Sequence, residues 1–226
     1  KYVPPGRYSL NVATQFAWHK LIQSYSADPQ TVVGTTVSGR NVPVEGIETS
    51  VGLYINTLPL MVDWSDEKRS VSQVLQAIQQ DIADLNSHSE VSLASLQSDG
   101  ERMFHSLFVF ENYPMPEGEE LAIGIEGNLR LRGFVEKLDY PLSVTVFEED
   151  DALVIKLGFS EQWLSEADAQ SLLGKLSRIL SEVAVNPTQS CFALDIIADA
   201  EREQLLHGFN DTDYPYPAEQ TLHGSV

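Results

Sequence analysis

Apolar residues recur along the opening of the chain with two different periods, and each period names an element. Leu10, Ala13, Phe16, Ala17, Leu21 and Ile22 fall at i, i+3 and i+4 spacing and predict a helix running to about Tyr25, with Ser9 as its N-cap. Thr31 to Ser38 alternates and is β-branched, which predicts a strand that ends in Ser38-Gly39-Arg40. Val51 to Val62 is almost continuously apolar, the pattern of a strand buried on both faces, and Pro59 is expected to end or bulge it because it cannot donate to a ladder. Ser70 with Gln73 reads as a capping box opening a helix to about Asn86, with Val74, Ile78, Ile82 and Leu85 inward. A shorter helical piece is expected over Ser92 to Gln97.

Strands follow at Ser106–Glu111, Ile123–Val135, Leu142–Glu148 and Leu153–Phe159, the last two joined at Asp150-Asp151. Ser165 with Asp168 caps a helix to about Val185 whose apolar stripe is Ala169, Leu172, Leu173, Leu176, Ile179, Leu180 and Val183, and Asn186-Pro187 stops it. Asp199 to His207 reads as a short polar helix, and Gly208 to Pro217, rich in proline and aspartate, reads as a connector. Early alternation of helix and strand, then a strand cluster, predicts an α/β sandwich with a mixed sheet.

Composition changes this picture little. Hydrophobic residues at 42% and charged residues at 21% of 226 are those of a globular chain. A formal net charge of −19 argues against nucleic acid, whose phosphates need clustered lysine and arginine. No run approaches the roughly 18–20 apolar residues of a membrane span, and Lys1-Tyr2-Val3-Pro4-Pro5 has no apolar signal core, so a cytoplasmic setting is expected. The lone Cys191 sits in an apolar stretch and reads as buried filler. Metal-ligand spacings, phosphate-binding glycine loops and a G-x-S-x-G elbow are all missing from the sequence.

Several segments in order carry a resemblance. Residues 15–40, QFAWHKLIQSYSADPQTVVGTTVSGR, are similar to A-W-x-x-L-x-x-Y-S … V-x-G-T-x-x-S-G-R, and VGLYINTLPL at 51–60 is similar to (I/V)-G-x-(F/Y)-(V/I)-N-T-(L/Q)-P. Residues 107–114, LFVFENYP, match a third segment, Asp139-Tyr140-Pro141-Leu142 a fourth, and 209–226 resembles a linker into an adenylation domain. Ser87 to Leu93 stands where the pattern has (H/N)-Q-D-(Y/V)-P-(F/L); His88, Val91 and Leu93 agree, and the Gln-Asp and proline do not. On these residues the chain resembles the C-terminal lobe of a condensation domain of non-ribosomal peptide synthetases. The implied fold is a chloramphenicol acetyltransferase-like two-layer α/β sandwich with a mixed sheet packed against helices. Residues 1–197 would form the lobe and 198–226 the linker, with Lys1 falling where the interlobe hinge is expected.

The resemblance implies peptide-bond formation between two carrier-tethered thioesters. The family's H-H-x-x-x-D-G motif is absent, so no catalytic residue is assigned and the isolated chain is expected to be inactive. None of the five histidines has the spacing of a general base; His19 is expected at a helix surface or boundary, and His105 beside a strand. Asn56 and its neighbour Thr57 are candidate channel residues, the alternative for Asn56 being a satisfied amide that braces a loop. Tyr113 joins them on the channel. Arg40, preceded by a Gly39 suited to positive φ, has an interlobe or structural role, as do Glu111 and Asn112. Implied partners are the N-terminal lobe, peptidyl carrier domains and a downstream adenylation domain, with no nucleic acid and no membrane. The chain would bind no cofactor or metal itself; phosphopantetheine would arrive on the carrier domains. An epimerisation lobe, a stand-alone acyltransferase and a non-catalytic carrier-docking module are the alternatives.

Overall fold

The computed structural model describes residues 8–41, 44–47, 49–97, 101–111, 120–121, 129–130, 139–150 and 152–213. Three helices open on the caps expected of them. Ser9 accepts from Val12 N at the start of α1 (Leu10–Ser26), Ser70 and Gln73 close a reciprocal box on α2 (Val71–Ser87), and Ser165 and Asp168 do the same for α4 (Glu166–Val185). A single-turn α3 spans Leu93–Leu96.

The main sheet is mixed, with strand order β2-β1-β3-β6-β7. β1 (Gln30–Ser38) pairs antiparallel with β2 (Ile55–Asp63) and parallel with β3 (Ser106–Glu111). β3 runs parallel to β6 (Leu142–Glu149), which returns antiparallel into β7 (Ala152–Phe159) through Asp150 at φ 48. β4 (Glu120–Leu121) and β5 (Leu129–Arg130) form a separate two-stranded ladder, and the rest of the strand expected over 123–135 lies outside the described residues. α1 packs between α2 and α4, against β1; α2 lies over β1 and β2, and α4 over β7. This is the two-layer mixed-sheet sandwich that the pattern implies.

Two expectations give way here. Val51 to Leu53 is not strand: Val51 and Leu53 are exposed, and β2 begins at Ile55. β2 is also an edge strand, with Leu58, Leu60 and Val62 buried and Met61 exposed, so its apolar run is buried on one face only. Pro59 stays within it, opposite Gly34, because an edge strand tolerates a residue without an N–H.

The second correction concerns α1, which reads as amphipathic but is buried all round from Val12 to Leu21. It therefore places Gln15, His19 and Lys20 inside. The strand alternation supplies partners: Gln15 Nε2 donates to Thr35 Oγ1 (3.1 Å), and Trp18 Nε1 donates to Ser106 Oγ (2.8 Å). Lys20 folds over the rings of Phe192 and Trp64 and donates to Gln23 Oε1 (2.7 Å).

The described residues fall into two compact units that divide between Asp195 and Ile196. In the second, α5 (Asp199–Glu203) runs into a wider π-type turn over Gln204–Gly208, and Asn210 Nδ2 donates to the carbonyls of Leu205 and Leu206. Its side chains are almost all exposed.

Candidate functional site

Ladder register collects most of the candidate residues at one end of the sheet. Ser38 faces Ile55 where β1 ends and β2 begins, and Glu111 closes β3 opposite Phe147. Because Thr35 pairs with Phe108 in parallel, Ser38 and Glu111 reach the same end. Asn56 and Thr57 follow Ile55 at the start of β2, and Arg40 lies just beyond β1. Asn112 and Tyr113 lie outside the described residues.

Asn56 shares its sheet face with Leu58 and Leu60, the face covered by helices. Its amide nitrogen donates both hydrogens, to Ser89 O (2.8 Å) and Val91 O (2.7 Å), and Oδ1 accepts from Thr57 N (2.8 Å). One side chain thus closes the turn between α2 and α3 onto the edge of the sheet. Thr57 points to the opposite face, level with Thr36. His88, at the C-cap of α2, holds Asp84 O with Nδ1 (2.8 Å); a carbonyl only accepts, so Nδ1 carries the proton.

Arg40 organises the loop between β1 and β2. One guanidinium nitrogen donates to Ile47 O (2.8 Å) and Ser50 O (3.0 Å), and the group stacks 4.5 Å over the ring of Tyr54, whose hydroxyl meets Ser50 Oγ at 2.7 Å. Gly39 N donates to Tyr54 O (2.7 Å), and a Cβ on Gly39 would stand 2.6 Å from that oxygen. Close approach, not a positive φ, is what requires glycine there; among the described glycines only Gly46 has positive φ. The braced loop displays Val44, Val51 and Leu53, followed by Ile55 on the strand, all more than half exposed. An apolar display of this kind at one end of a sheet suits a second surface.

Among the described residues, His19 and His105 lie away from this end. His19 is fully buried rather than at the helix boundary; its Nδ1 lies 2.7 Å from Thr31 Oγ1, which also accepts from Trp64 Nε1 (3.0 Å), and its Nε2 has no partner. Burial pushes its pKa down to about 3, so it stays neutral. His105 is exposed and lies on an apolar cleft of about 740 Å³ floored by Trp18, Leu21 and Leu142, at the opposite end of the sheet. Burial raises the Cys191 thiol to about 11, which removes it as a nucleophile and agrees with its reading as filler. No group of three or more His, Cys, Asp or Glu among the described residues could hold a metal. None of the described helices is long and apolar enough to cross a membrane. The buried histidine and lysine left no trace in the sequence, since the groups that cover them, Thr31, Trp64 and Phe192, are distant along the chain.

The family model described as "Condensation domain" matches residues 7–206. The N-(5-amino-5-carboxypentanoyl)-L-cysteinyl-D-valine synthase of Amycolatopsis lactamdurans is 37% identical over 221 residues, covering 95% of this chain and 6% of that protein. Bacitracin synthase 1 of Bacillus licheniformis is 30% identical over 220 residues, covering 95% of this chain and 4% of its own length. Among solved structures, a mutant starter condensation domain of the rhizomide synthetase superposes with a TM-score of 0.70 at 16% identity, over 88% of this chain and 47% of that one. The chain therefore spans a small fraction of the synthetases it matches and about half of a condensation-domain structure.

Proposed function

The chain belongs to the condensation-domain family, and from that premise we propose that it is the C-terminal lobe of a domain that joins two carrier-tethered substrates through an amide bond. The observation that carries this reading is a conjunction. The whole folded unit matches the family, yet it covers under half of a condensation-domain structure and contains no H-H-x-x-x-D-G. A second lobe then holds the proton-handling residues, and this one contributes a wall.

The reaction in this reading is attack by the acceptor amine on the donor thioester carbonyl. The carbon–nitrogen bond forms, the carbon–sulfur bond breaks, the donor thiol leaves with its carrier, and the amine gives up a proton. The phosphopantetheine arms supply the thioester sulfur when carrier domains visit. Positioning is the part left to this chain's residues: Arg40 fixes the β1–β2 loop, and Asn56 fixes the turn carrying Ser89 and Val91, so that Thr57 and Glu111 stand on a rigid channel wall. Exposed Val44, Val51, Leu53 and Ile55 form apolar surface for the other lobe. Residues 198–226 lead towards an adenylation domain, and the setting is cytoplasmic.

The test restores the N-terminal lobe from the parent gene, loads both neighbouring carrier domains and follows dipeptidyl product by mass spectrometry. Product from the restored domain and none from the 226-residue chain alone is the expected result. Verified loading without product, or racemised aminoacyl thioester in its place, would overturn it in favour of a docking module or an epimerisation lobe.

A further inference from the structure

β2 is an edge strand whose outer rim can be read residue by residue. Gly39 N donates to Tyr54 O and Trp64 N to Pro29 O, at the two ends of the β1–β2 register. Even-numbered residues from Tyr54 to Trp64 therefore turn their peptide groups towards β1, and odd-numbered ones turn theirs outward. Three outward groups are already occupied or missing: Thr57 N–H is taken by Asn56 Oδ1, Pro59 has no N–H, and Asp63 O accepts from Arg69 Nη1 (3.2 Å). The Met61 N–H and the carbonyls of Pro59 and Met61 have no partner among the described residues. They lie in the middle of the edge, where the Thr57 carbonyl and the Asp63 N–H are also without a partner among the described residues.

Beside that edge runs a groove of about 470 Å³ between β2 and α2. Ile78, Asp81, Asp84, Leu85 and His88 line its helical wall as a single stripe at i, i+3, i+4 spacing. Its charge is one-sided: Asp63, Asp81 and Asp84 face Arg69, the only lysine or arginine in the lining. Asp81 is partly buried, has no hydrogen-bond or ion-pair partner among the described residues, and is held above the usual carboxylate range by burial and by Asp84, which together outweigh the opposing pull of Arg69. An apolar trough in which Asp63, Asp81 and Asp84 outnumber Arg69 suits an occupant that brings cations and a backbone together.

We propose that this edge is a docking site for an extended basic segment of a partner protein, which adds to the sheet through the free Met61 N–H and the Pro59 and Met61 carbonyls while lysine or arginine at alternate positions reaches Asp81 and Asp84. Strand periodicity sets that alternation, because every second side chain of an added strand faces α2. The site lies along the β2 edge and α2, and it stands whether or not the condensation reading holds.

The test uses the full chain and three five-residue peptides blocked at both ends: alternating lysine and valine, the same with glutamate for lysine, and the lysine peptide N-methylated at alternate amides. The lysine peptide should bind and slow amide exchange at Met61 about tenfold or more. Met61→Pro should weaken binding by about tenfold, Met61→Leu should leave it unchanged, and Asp81→Asn with Asp84→Asn should weaken it by about tenfold. Circular dichroism establishes that each variant is folded. No binding by the lysine peptide, equal binding by the N-methylated or the glutamate peptide, or unchanged exchange at Met61 would each overturn the proposal.

Discussion

The ring of Phe104 fills the space that a Cβ on Gly34 would need. Gly34 lies in the middle of β1, and three ring atoms of Phe104 crowd the position of its missing side chain. Phe104 is 3% exposed and is backed by Tyr140, whose ring stacks on it at 5.3 Å. A rigid aromatic held from behind cannot step aside for a methyl group. Gly34→Ala should therefore cost about 2–3 kcal/mol, the range of an overpacked core, read as a lower urea midpoint at unchanged slope. Gly34→Ala in a Phe104→Leu background should lose less than the sum of the single losses; strict additivity would refute the contact as the cause.

Asn56 holds two carbonyls that no other side chain is seen to hold. Asn56→Asp keeps the shape and the Oδ1 bond to Thr57 but removes both donors, leaving a carboxylate against Ser89 O and Val91 O. Stability should fall by about 2–3 kcal/mol, and amide exchange should accelerate first around 88–92. Unchanged exchange there would mean that the bracing is not needed.

Acid should destabilise this protein through His19. Its pKa is about 6.5 unfolded and about 3 folded, so between those values the unfolded chain binds a proton that the folded chain refuses. Stability is whole above the unfolded value and falls as pH drops from about 6.5 towards 3, by roughly 4–5 kcal/mol in total. His19→Gln should flatten the part of the urea-midpoint profile between pH 6 and pH 4. An identical profile in the variant would assign the acid loss to carboxylates such as Asp63 and Asp168, whose values are lowered by hydrogen bonds to Ser65 and Ser165.

Arg40 makes at least two backbone bonds and one stack, a planar set that an ammonium group cannot reproduce. Arg40→Lys should loosen the loop to Tyr54 and raise its cleavage by protease several-fold, with about 1 kcal/mol lost globally. Equal cleavage in both proteins would show that the loop is held elsewhere.

Exposed Val51 and Leu53 should make the isolated chain associate as its concentration rises. Light scattering should show a growing apparent mass, which Val51→Asp with Leu53→Asp abolishes. A monomer at every concentration would refute this.

Local chemistry was legible before any coordinates. Ser9, Ser70 with Gln73, and Ser165 with Asp168 announced three helix starts, because a cap is an agreement among residues three or four apart. Strand existence followed from alternation in the same way, and the mixed α/β sandwich followed from the order of those elements. What sequence order could not contain was adjacency. The apolar run ending in Val62 looks doubly buried, yet it lies at a sheet edge, and only the pairing order β2-β1-β3-β6-β7 decides that. His19 read as a helix surface or boundary residue and became interior because Thr31 of β1 and Trp64 lie against that side of α1. Asn56 was visible as a polar residue in an apolar stretch, but its partners lie 33 and 35 residues away. The chain's local interactions determined which elements form and where they start. Tertiary structure decided which of their faces meet, since burial is a property of the neighbours that a residue acquires.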